Sequence, residues 1–108
     1  VLTSKELTDG EKLFLDRRRL GESQSVAAER VGTSLFNYRR LEKAPELSSG
    51  KQPKLGRITK AESCVIYRRR SGMTTQAVAD AVGYCRWWVF RMENGQVDPA
   101  PLLEYWVT

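Results

Sequence analysis

The sequence contains no histidine and only two cysteines, Cys64 and Cys85, twenty-one residues apart. Without histidine the commonest general base is missing. Two thiols at that spacing also fall short of the about four ligands of a structural zinc site. We therefore expect no metal, and two reduced thiols rather than a disulfide. There is no nucleophile elbow, no glycine-rich phosphate loop and no isolated pair of carboxylates. The expectation is a binding protein, not an enzyme, with no cofactor and no evident small-molecule ligand. No apolar run approaches the roughly 20 residues that span a bilayer. Residues 1–10 lack the basic-then-apolar order of a secretory signal. A cytoplasmic protein without a membrane partner is expected.

What is present is 108 residues, room for one domain or two very small ones, which excludes a barrel or a doubly wound enzyme. Eighteen Lys and Arg oppose thirteen Asp and Glu, a net charge of +5, and 41% of the residues are hydrophobic. That composition suits a globular chain with an acidic partner. Residues 1–50 carry nine basic and eight acidic side chains and residues 51–108 carry nine and five, so the second half holds most of the excess.

Laid on itself at an offset of 51, without a gap, the chain repeats. Thr8 falls on Thr59, Glu11 on Glu62, the three arginines 17–19 on 68–70, and Gly21 on Gly72. Ala28 falls on Ala79, Val31 and Gly32 on Val82 and Gly83, Arg40 on Arg91, and Glu42 on Glu93. Between the copies, residues 44–57 are rich in Ser, Gly, Pro and Lys, as a solvated linker should be. This sets a first domain at 1–45, a linker at 46–57 and a second domain at 58–108. The linker cations Lys51, Lys54 and Arg57 read as solubilising, or as tracking a phosphate backbone between two bound copies.

Each copy opens with a capping box, Thr8 with Glu11 and Thr59 with Glu62. The first helix then runs to about Leu20 or Ser71, where Gly21 or Gly72 takes a left-handed conformation. Ser23 and Thr74 cap a second helix, Gln24–Val31 and Thr75–Val82, stopped by Gly32 and Gly83. A third follows Ser34 or Cys85, over residues 35–42 and 86–93, with Tyr38 and Leu41, or Val89 and Met92, turned to the core. Helix, glycine-containing turn, helix is the sequence form of the helix-turn-helix. The second copy alone continues: Asp98 as a cap and Pro99 at the first helical position start a further helix with Leu102, Leu103 and Trp106 on its apolar side. Cys64 reads as a small core residue facing the third helix, and Cys85, at a cap position, as partly exposed. The overall expectation is an all-α chain of two small helix-turn-helix domains in tandem.

On these residues the chain resembles the lambda-repressor-like (Cro/C1, XRE-type) DNA-binding family of phages and mobile elements. The motif is carried by Arg17, Gly21, Ser23, Gln24, Ala28, Gly32, Ser34 and Glu42 in the first copy. Arg68, Gly72, Thr74, Ala79, Gly83, Glu93, Asn94 and Gly95 carry it in the second, with Thr75 in place of the family's glutamine. The resemblance implies structural ion pairs, Arg17 with Glu42 and Arg68 with Glu93. It implies that Gln24 contacts a phosphate and braces the recognition helix, with Thr75 or Gln76 as substitutes. Positions that reach base edges fall on Leu35, Phe36 and Arg40, and on Arg86, Trp87 and Arg91. Arginine suits guanine because its fork bonds O6 and N7 together.

The implied function is a transcriptional regulator that binds double-stranded DNA as a pseudo-dimer, its recognition helices about one turn, roughly 34 Å, apart. Asn37, Arg39 and Thr75 would join Gln24 in positioning the backbone, and Ser34 and Thr74 complete the expected DNA-binding set. A rival is a protein-interaction adaptor or anti-activator that binds through Leu35, Phe36, Trp87, Trp88 and Phe90. Those aromatics leave three readings open: burial against the C-terminal segment, a protein partner or second copy of the chain, and direct DNA contact. The triple-arginine runs read as solvated helix faces with one arginine of each engaged in the ion pair.

Overall fold

In a computed structural model of the chain, residues 2–46 and 55–107 are described; Lys51 and Lys54 of the expected linker lie outside them. The fold is all-α: the described residues form seven α-helices and one short 3₁₀ turn, without a strand. They divide into two compact units, Thr3–Arg57 and Ile58–Thr108, and Leu2 belongs with the second. That last assignment moves the expected start of the first domain. The buried Leu2 donates its main-chain N–H to Ser63 Oγ at 3.0 Å, which ties the chain's beginning to the second copy.

The first unit contains the 3₁₀ turn Ser4–Glu6 and helices α1 (Asp9–Leu20), α2 (Gln24–Val31) and α3 (Leu35–Lys43). The capping box is closed in both directions: Glu11 N–H donates to Thr8 Oγ1 at 3.2 Å and Thr8 N–H to Glu11 Oε1 at 2.9 Å. Gly21 ends α1 at φ 70°, a conformation that a Cβ would strain. Ser23 and Ser34 cap α2 and α3 by accepting from Val26 N–H at 3.2 Å and Asn37 N–H at 3.1 Å. Both α1 and α2 pack on α3, and Ala27 and Ala28 of α2 form a core cluster with Tyr38 of α3. Leu41, expected in that core, is only partly buried. Tyr38 and Glu42, four residues apart, take the inner face of α3 instead and leave Leu41 at its edge.

The start of α1 presses directly on the end of α3. Gly10 N–H donates to Ala44 O at 3.0 Å and Asp9 N–H to Pro45 O at 3.3 Å. A Cβ on Gly10 would collide with the carbonyl groups of Glu42 and Ala44. The second unit has Ala61 at the equivalent place, with Gly95, in the left-handed region at φ 73°, nearby.

The second unit contains α4 (Lys60–Ser71), α5 (Thr75–Val82), α6 (Arg86–Glu93) and α7 (Ala100–Val107). Cys64, Val78, Ala79, Val89, Met92 and Leu102 form its buried core. The expected extra helix is α7, which packs on α4 and α5. It begins one residue later than expected: Leu103 N–H donates to Pro99 O at 3.0 Å, so Pro99 occupies the cap, and Asp98 Oδ1 accepts from Ala100 N–H at 3.1 Å. No helix among the described residues is long and apolar enough to cross a membrane.

Candidate functional site

The third helix of each unit is anchored from behind by an ion pair. Arg17 Nε donates to Glu42 Oε2 at 2.7 Å, and Arg68 Nε to Glu93 Oε2 at 2.7 Å. Both carboxylates are buried, and each arginine is partly covered. In the first unit the network runs on to the outer surface. Gln24, the first residue of α2, donates through Nε2 to Glu42 Oε1 at 3.1 Å and accepts from Arg39 Nε at 3.2 Å. One glutamine therefore links the start of α2 to both the inner and the outer side of α3. Asn37 Nδ2 donates to Thr33 Oγ1 at 2.7 Å, Ser34 is exposed at the cap, and Arg40 and Phe36 are exposed. Leu35 is half-buried.

In the second unit the starts of α5 and α6 converge on an open depression of about 540 Å³, lined by Thr75, Gln76, Cys85, Arg86, Trp87 and Phe90. Its rim combines hydroxyl and amide groups, one exposed guanidinium and two stacked rings, Trp87 and Phe90, 5.7 Å apart and 17° from parallel. Thr74 stays at the cap, accepting from Ala77 N–H at 3.1 Å, and Gln76 Nε2 donates to Asp80 Oδ1 at 3.0 Å. Thr75 stands where Gln24 stands and Phe90 at the place of Arg39, so the second unit lacks the side chains that make the Gln24 network.

Arg91 differs from a free guanidinium. It is half-buried, and its terminal carbon lies 6.0 Å from the Trp87 ring centroid and 5.9 Å from that of Trp88, cation–π range. Arg86, in contrast, is fully on the surface.

Burial of the α6 aromatics beneath the C-terminal segment is not what the structure shows. Trp87, Trp88 and Phe90 remain 64%, 37% and 48% exposed, and Phe36 in the first unit 74%. The apolar side of α7 is used within the unit: Leu102 joins the buried core and Trp106 stacks on Tyr67 of α4 at 6.2 Å. Of the residues expected at an interface, Thr75, Gln76, Arg86, Trp87 and Phe90 come together around one depression. Gln24 and Arg39 join at the corresponding corner of the first unit.

Two contacts were not foreseen. Arg19, expected to be solvated, donates to Leu55 O at 2.6 Å and Arg57 O at 2.9 Å. The last residues of the expected linker are therefore held on α1. Gly10, whose lack of a side chain brings α1 against the end of α3, was not among the residues that the sequence singled out.

Both thiols are free, Cys64 buried and Cys85 exposed. Burial pushes the Cys64 thiol up to about 12, the Glu93 carboxylate adding to the effect. Burial likewise raises the Tyr38 hydroxyl, again with a nearby carboxylate, Glu42, acting in the same direction. Among the described residues no group of three or more His, Cys, Asp or Glu side chains is placed to hold a metal ion.

No protein-family model, curated protein or solved structure matches the chain.

Proposed function

We propose that this chain is a sequence-specific, double-stranded-DNA-binding regulator of transcription, acting in the cytoplasm without catalysis. Its two units are tandem helix-turn-helix domains of the lambda-repressor-like type, reading two half-sites of one duplex with α3 and α6 as recognition helices. The observation that carries the reading is the two-sidedness of α6: Val89, Met92 and Glu93 are buried behind it, while Arg86 and Trp87 project beside the polar start of α5. Helix N-termini favour anions, so the Thr75 and Gln76 end of α5 suits a phosphate while Arg86 reaches a base edge. In the first unit Arg40 takes the reading role. The Glu42–Gln24–Arg39 chain of contacts holds α3 at a set angle to α2 and keeps a cation at the surface. Arg91, shared between two indoles, orients the aromatic edge of α6 and adds positive charge to it.

Enrichment from a pool of random duplexes at two salt concentrations tests the reading. A two-half-site sequence, bound less tightly as salt rises, is the expected result. The exposed Phe36, Trp87 and Phe90 favour a second reading, an adaptor that binds a protein through the same helices; it entails no enrichment and binding nearly indifferent to salt.

A further inference from the structure

Aligned through the repeat, the third helices diverge on their outer faces. Leu35 corresponds to Arg86, Asn37 to Trp88 and Arg39 to Phe90. Two outer positions keep their character: Arg40 corresponds to Arg91, and the aromatic Phe36 to the aromatic Trp87. Both rings are largely in water, 74% and 64% exposed, although the inner faces of their helices are otherwise well used. A single exposed apolar side chain is ordinary. An exposed ring at the same position of two diverged copies, each time within a turn of an arginine, points to a shared partner.

Trp87 is also held in place. Phe90 stacks on it at 5.7 Å and the Arg91 guanidinium sits 6.0 Å from its centroid. A ring fixed before binding loses little freedom on contact. It stands on the rim of the depression that also holds Thr75, Gln76 and Arg86, groups that suit a polyanion. With the net charge of +5, this makes the occupant an acidic polymer that also offers something apolar. Phe36 has no hydrogen-bonding group to offer a base, and Trp87 has only its indole N–H, so the character the two positions share is apolar. The apolar group on a base edge in the major groove is the C5 methyl of thymine.

We propose that Phe36 and Trp87 are specificity-determining residues, each selecting thymine at one position of its half-site by contact with the C5 methyl. The proposal rests on the duplex-binding reading above and names the base that reading leaves open. Its test begins with duplexes enriched from a random pool by the full chain. Each thymine of the selected site is then replaced singly by uracil, which lacks only the methyl. Affinities are measured for the unsubstituted chain, Phe36→Ala and Trp87→Ala, with circular dichroism showing that both variants keep their helices.

The expected result is one thymine per half-site whose replacement weakens binding about fourfold, the effect of one buried methyl. Trp87→Ala abolishes the difference in one half-site and Phe36→Ala in the other. Equal binding of every uracil duplex overturns the proposal and leaves duplex binding intact, as does a thymine preference that survives both alanine variants. A pool from which nothing is enriched overturns the duplex reading and this inference with it. Loss of self-association in Trp87→Ala, with thymine discrimination unchanged, makes the rings a contact between copies and also overturns it.

Discussion

Arg17 on α1 and Glu42 near the end of α3 are joined at 2.7 Å, and Arg68 and Glu93 repeat the contact at the same distance fifty-one residues later. In each unit this pair fixes the last turn of the third helix to the first helix, and with it the direction in which the outer face of the third helix points. The carboxylates are buried, so replacing the arginine takes away the cation that balances a buried charge. Arg68→Ala is expected to destabilise the second unit by about 3–5 kcal/mol, whereas the double replacement Arg68→Met, Glu93→Leu costs far less or nothing. Urea unfolding of the two variants checks this; equal losses would show that the cost lies in lost packing.

Among the described glycines, Gly10 has the least room for a side chain. Any side chain there drives α1 away from the Glu42 and Ala44 carbonyls, so Gly10→Ala is expected to cost about 1–3 kcal/mol despite alanine's better helix propensity. At the equivalent place in the second unit, Ala61→Gly removes only propensity and a little packing, about 1 kcal/mol. Opposite signs of the Gly-to-Ala change at the two positions in thermal unfolding would express the difference; matching signs would contradict it.

How far the sequence revealed the molecule follows from the range of each interaction. Capping boxes, left-handed glycines and the bounds of α2, α5 and α6 depend on residues within four positions of one another, and they were readable. The same holds for the inward direction of Val89 and Met92, which follows from helical spacing alone. Gly10 against Glu42, Arg19 on the Leu55 and Arg57 carbonyls, and Leu2 on Ser63 join residues thirty or more apart, and nothing local announces them. At the candidate site, spacing placed Trp87, Trp88 and Phe90 on the outward faces, and the family resemblance placed Arg86 there. Spacing was silent on Arg91's position beside two indoles, because that depends on rotamers rather than register.

The two buried acids of high pKa predict alkaline sensitivity. Cys64 and Tyr38 are favoured in their neutral forms by the fold, so their raised values contribute stability that is complete below their unfolded pKa values. For Cys64 that contribution is lost as pH rises from its ordinary 9.0 toward about 12. Tyr38 follows from its ordinary 10.0 upward. Unfolding midpoints are expected to fall above about pH 9, less steeply in Cys64→Ala once its own lower baseline is subtracted. A flat profile to pH 11 would contradict this.

The thiols should separate by reactivity. Cys85, exposed at the start of α6, is expected to react with a thiol reagent in the folded chain, and Cys64 only on unfolding. Mass spectrometry after a short alkylation checks this: one adduct on the folded chain and two in denaturant. Modification of Cys85 on the rim of the α5–α6 depression is further expected to weaken DNA binding.

In the proposed function, α6 reads bases through Arg86 beside the start of α5. The most direct measurement is enrichment of random duplexes by the chain and by Arg86→Ala, each at low and moderate salt. The account predicts a two-half-site sequence whose preference relaxes at one position in the variant, with a loss of about 1–3 kcal/mol, while the salt dependence of the remaining binding persists. No enrichment by the unsubstituted chain, or an identical selected sequence from Arg86→Ala, would contradict it.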